Sequence, residues 1–134
     1  MIAGAAAAAI LFVLGVIHLY WAAGGRLGKS APLPTANGRA VLHPTPLITV
    51  VVALGLFAMA ALVAVRIGWI SVPAIAGFVP AGIWFVAGIF LLRAIGDFHY
   101  IGFFKQVRDS RFARLDTLVY SPLCLLLASL ILFS

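Results

Sequence analysis

Residues 93–122 read RAIGDFHYIGFFKQVRDSRFARLDTLVYSP, and this stretch decides how the chain is arranged. It carries five of the nine Lys and Arg residues and all three acidic ones. Long apolar runs flank it on both sides. Charge inside hydrocarbon is costly, so charges gathered between two apolar runs mark a loop at a membrane surface. Composition agrees: 65% of the residues are hydrophobic and 9% charged, where an ordinary soluble domain carries roughly 25% charge. A soluble protein of 134 residues keeps most of its surface wet and needs a polar shell. These residues cannot build one. The expected fold is all-α, a polytopic integral membrane four-helix bundle, as one domain over 1–134.

Working outward, the apolar runs predict spans at about 2–23, 46–65, 73–95 and 116–133. The first lacks the positive n-region of a signal peptide and is long enough to cross, so it reads as a retained helix. Its stripe Gly4, Ala8, Leu11, Gly15, His18, Ala22 puts small residues on one face, which suits helix packing in lipid. Thr45 with Pro46 reads as an N-cap and first helical residue. In the third span Gly77, Ala81, Trp84 and Gly88 suggest a second packing face, and Pro80 should loosen a turn. Asp116 suits the first turn of the fourth span, where an acid meets the helix dipole. Pro122 should kink that span or mark its true start. The loop 98–115 mixes aromatic and apolar residues with Lys105, Arg108, Arg111 and Arg114, and part of it, residues 98–107, suggests a short interfacial helix.

Four spans put loops 24–45 and 96–115 on one side. Counting Arg93, these ends hold eight Lys and Arg, against Arg66 alone on the other side. The positive-inside rule then predicts an inner (cytoplasmic) membrane protein with both loops cytoplasmic and both termini outside. The net charge of +6 is therefore an orienting charge and not a nucleic-acid footprint. Cys124 is the single cysteine, so no intrachain disulfide can form.

HLYWAAGG at 18–25, RAIGDFHYIGFFK at 93–105 and FARLDTLVYSPLC at 112–124 resemble the signatures of a bacterial family of small four-span membrane proteins. That family is catalogued as a domain of unknown function. The resemblance covers nearly the whole chain. It implies the four-helix fold and no particular activity.

The ionisable groups share one thin layer, so a ligand site is expected there. Arg93 would hold an anion, and Asp97, one helical turn on, would orient it. His18 and Tyr100 would add hydrogen bonds, with Asp116 and His99 close by. The ligand would be an anionic amphiphile such as a lipid headgroup, an isoprenoid phosphate or a quinone. The partners expected are membrane lipids, and a membrane protein partner or a second copy of the chain. An accessory or scaffolding subunit, packing its glycine faces on other helices, is the alternative. An enzyme acting on a lipid-soluble substrate is a variant of the first, with catalytic residues unknown. No cofactor or metal is expected. His18, His43, His99 and Asp97 are ligand types, but they lack metal-site helix spacing and sit among cations. A channel or proton-coupled transporter would need polar lines or acids within the spans.

Overall fold

The apolar runs do become helices. The computed structural model describes residues 1–28, 33, 35–36, 39–40 and 44–134. Four helices are long and apolar enough to cross a membrane: α1 (Ile2–Ala22), α2 (Pro46–Arg66), the span Pro73–Ile95, and α4 (Arg111–Leu132). A helix of 21 residues is about 32 Å long, against a hydrocarbon core of about 30 Å. The third span opens as a 3₁₀ turn (Pro73–Phe78) and continues as α3 (Val79–Ile95). The loosened turn thus lies just before Pro80. A two-residue antiparallel ladder pairs β1 (Thr35–Ala36) with β2 (Arg39–Ala40) in the first loop. Apart from that short ladder, the described residues form an all-α four-helix bundle of membrane type.

α1 packs along α2, and α3 along α4; α1–α4 and α2–α3 contacts join the pairs. Leu11, Val63, Leu127 and Ile131, from α1, α2 and α4, are fully buried. Most other large apolar side chains face outward, as a lipid-solvated bundle requires. The α1 stripe packs as expected. At Gly15 an added Cβ would lie 2.6 Å from Phe57 Cε1, so only glycine admits that ring. Thr45 caps α2, its hydroxyl accepting from the Ile48 N–H at 3.3 Å.

The α3 stripe is a correction. Gly77, Ala81 and Trp84 are exposed, Trp84 by 70%, and open space surrounds Gly77 and Gly88. The inward face is Ile83, Val86, Ala87, Phe90 and Ala94. Both stripes have helical spacing, and the bulkier one fills the core.

The fourth helix is a second correction. It starts at Arg111, five residues before the expected 116, with the Ser110 hydroxyl accepting from the Ala113 N–H at 3.0 Å. Asp116 therefore lies beyond the first turn. It opens a wide π turn, Asp116–Tyr120. Pro122 explains that turn. It has no N–H to offer the carbonyl four residues back, and its ring crowds that carbonyl. The Ser121 N–H bonds the Asp116 carbonyl, five residues back, and the helix runs on to Leu132. In a regular α-helix residues five apart point roughly 140° away from each other. The wide turn lets Asp116 and Ser121 both be fully buried.

Candidate functional site: a buried charge cluster between the third and fourth helices

Three polar segments meet where α3 ends and α4 begins. Asp116 is completely buried. Its Oδ1 accepts from Arg93 Nη2 at 2.9 Å. Its Oδ2 accepts from the Gly102 N–H at 2.7 Å and from Lys105 Nζ at 3.0 Å. Lys105 is only 2% exposed. Its ammonium also donates to the Gly102 carbonyl at 2.8 Å and to the Thr117 hydroxyl at 2.6 Å. That hydroxyl in turn donates a hydrogen bond to the Ala113 carbonyl at 3.1 Å. All three donors of a lysine are thus engaged. The Arg93 side chain is 32% exposed. Its Nη1 and the Ser121 Oγ are buried with no hydrogen-bond partner among the described residues.

The expected Arg93–Asp97 pair does not form. An i,i+4 pair needs both residues on one helix. α3 stops at Ile95, and Gly96 turns the chain away at φ 93°, ψ −171°. Asp97 has a different task. Its Oδ1 accepts the N–H groups of His99, Tyr100 and Ile101 at 2.9, 2.8 and 2.9 Å. A side chain that captures three successive amides removes them from any helix. Hence residues 98–107 form no interfacial helix. They make a compact turn, in which the Phe103 N–H bonds the Ala94 carbonyl and the N–H groups of Gln106 and Val107 bond the His99 carbonyl.

Burial raises the Asp97 carboxyl, but the amides of Ile101, His99 and Tyr100 outweigh that and hold it below its ordinary value of 3.8. Its folded pKa is therefore the lower one. The turn's contribution is complete above the unfolded pKa and is lost as pH falls through the folded value. Acidification below 3.8 is expected to bring amide exchange at His99, Tyr100 and Ile101 closer to the intrinsic rate at that pH. Asp97→Ala should show that loss of protection at every pH, and hydrogen-exchange mass spectrometry reads both.

The chain belongs to the family described as Protein of unknown function (DUF3995). Residues 11–131 match. The family description carries no activity. Comparison with curated proteins and with solved structures returned no match.

Within this family member the six expected site residues fall into three groups. Arg93 and Asp116 are bonded to each other. Asp97, His99 and Tyr100 share the turn beside them, with the two rings edge-to-face at 4.3 Å. His18 is elsewhere. It lines a cavity of about 160 Å³ between α1 and α2 with Trp21, Ile48 and Thr49, and its Nδ1 lies 2.7 Å from the Leu14 carbonyl. Among the described residues no three His, Cys, Asp or Glu side chains gather as a metal site. His43, weighed above as a metal ligand, lies outside the described residues. Sequence reasoning missed Lys105. One signal was present: it is the single lysine in a stretch whose other cations are arginines, and it directly follows two phenylalanines.

Proposed function

We propose that this membrane protein binds an anionic, lipid-like molecule at the face where α3 and α4 meet their connecting loop. Uncompensated charge carries this reading. Two cations and one carboxylate share this site, leaving a net +1, and Arg93 Nη1 is buried without a partner among the described residues. Buried charges are normally matched. An anion at the rim would complete the balance. The eight-to-one bias of Lys and Arg supports placing this face in the cytoplasm, next to the anionic leaflet of the inner membrane.

The test is thermal unfolding of the purified protein in zwitterionic lipid discs, with and without an anionic phospholipid. A ligand that binds only the folded state raises the midpoint. The expected result is a rise that shrinks with added salt. Equal midpoints in both discs would refute the proposal.

The outward stripe of α3 favours a second reading, an accessory subunit that packs this face on another membrane helix. Gly88→Leu meets open space, so it should change the protein's own stability by no more than about 0.5 kcal/mol. It should also release a co-purifying partner chain. Gly15→Leu strikes the Phe57 ring and should cost about 1–3 kcal/mol by overpacking. Unfolding titrations in mixed micelles and native mass spectrometry separate the two effects.

A further inference from the structure

A second basic feature lies beside the buried cluster. A cleft of about 340 Å³ opens between the 96–110 loop and the first turns of α4. That is at the small end of the roughly 300–1,000 Å³ typical of ligand pockets. It has room for a headgroup and not for a whole lipid.

Its walls are chemically divided. Lys105 and Thr117 line it, and they are bonded to each other and to the buried Asp116 assembly. Arg108 and Arg114 supply its cations. The Arg108 Nε–H donates to the Lys105 carbonyl at 3.1 Å, which steadies the guanidinium and leaves both of its terminal nitrogens available. The Arg114 side chain has no hydrogen bond or ion pair among the described residues. Both ion pairs among them end on Asp116, so neither arginine of the cleft is held in an ion pair. Phe103 and Leu118 form the apolar side, and Leu118 is 75% exposed on the outside of the bundle. Arg114, Thr117 and Leu118 stand three and four residues apart on α4, so one helix face presents cation, hydroxyl and apolar surface in sequence.

From this arrangement we infer that the cleft seats the phosphate of a lipid phosphomonoester, with Arg108 and Arg114 gripping the phosphate and the acyl chain leaving over Leu118. The inference rests on the anionic-ligand reading above and names its ligand class. Two planar guanidinium forks suit phosphate oxygens, which accept paired N–H donors. A monoester carries about −1.5 to −2 charges near neutral pH. That matches two unpaired arginines above a cluster that is itself net positive. A diester carries one charge and a choline lipid none, so both match less well.

Binding is measured by calorimetry in zwitterionic micelles, on the intact protein. The probes are dihexanoyl phosphatidate, dihexanoyl phosphatidylglycerol and inorganic phosphate. Phosphatidate is expected to bind at least 10-fold tighter than either of the others. The double variant Arg108→Gln/Arg114→Gln should weaken it at least 10-fold. Arg111→Gln removes a cation that does not line the cleft, and should weaken it less than 3-fold. Arg114→Gln alone breaks no hydrogen bond among the described residues, so it serves if the double variant fails to fold. Equal loss in Arg111→Gln and Arg114→Gln would overturn the cleft and leave general anion attraction standing. Equal affinity for phosphatidate and phosphatidylglycerol would overturn the monoester. Inorganic phosphate binding as tightly as phosphatidate would overturn the lipid. No binding of any probe by the unaltered protein would sink the cleft and the anionic-ligand reading together.

Discussion

Replacing Asp116 with alanine is expected to cost about 3–5 kcal/mol of stability, because it strands a buried cation. Asp116 is the shared acceptor of Arg93, Lys105 and the Gly102 amide. Without it the Lys105 ammonium keeps two neutral acceptors and loses its counter-charge. Arg93 can swing outward, since about a third of its side chain is already exposed. Lys105 has no such exit at 2% exposure. The damage should therefore run mainly through Lys105. Lys105→Met in the Asp116→Ala background should recover stability, since it removes the stranded charge. Groups that touch in one network couple by about 0.5–3 kcal/mol. Unfolding titrations of the two single variants and the double variant, in mixed micelles, measure that coupling. Additive costs would show that Asp116 acts on Lys105 less than the 3.0 Å contact implies.

Gly102→Ala is the second large effect, with an expected loss of about 2–5 kcal/mol. Gly102 has φ 88°, where a Cβ costs roughly 1–2 kcal/mol. That Cβ would also overlap the Ile95 carbonyl and lie 2.5 Å from the Gly96 Cα. Overpacking of this kind costs about 1–3 kcal/mol more. Gly96 is its counterpart, with φ 93° and its open side against the Ile101 carbonyl. The two glycines let the chain fold back on the end of α3, and Gly102 then reaches Asp116 with both its N–H and, through Lys105, its carbonyl. A displaced Gly102 removes a ligand of Asp116 as well as a turn. Hydrogen exchange should show faster opening over residues 96–107 in this variant, with the α1–α2 pair unchanged. Protection lost evenly over the whole bundle would mean that the turn and the bundle unfold as one unit.

The spans were legible because their signal is local. Twenty-odd apolar residues between charged or proline-bearing segments have one low-energy arrangement in lipid, whatever their neighbours do. The Thr45–Pro46 start of α2 is local for the same reason. The α3 face was misjudged because two stripes with the same period competed, and only the neighbouring helices select one. The start of α4 was misjudged because Asp116 looked like an N-terminal acid, whereas the helix begins at Arg111, capped by Ser110, and a π turn absorbs Pro122 within it.

The charged site divides along the same line. Sequence alone determined that this is a four-span helical membrane protein, and that its ionisable groups gather at the loop ends of apolar helices. Hydrophobicity and the cost of charge in hydrocarbon act residue by residue, so they can be read without a fold. Only the tertiary structure decided who pairs with whom. Arg93 meets Asp116 across 23 positions, and Lys105 meets it across 11. Spacing offered the nearer Asp97, but α3 ends between Arg93 and Asp97, and Asp97 is spent on three backbone amides. An ion pair inside a bundle follows distance in space, which the packing of α3 against α4 sets and the order of residues does not.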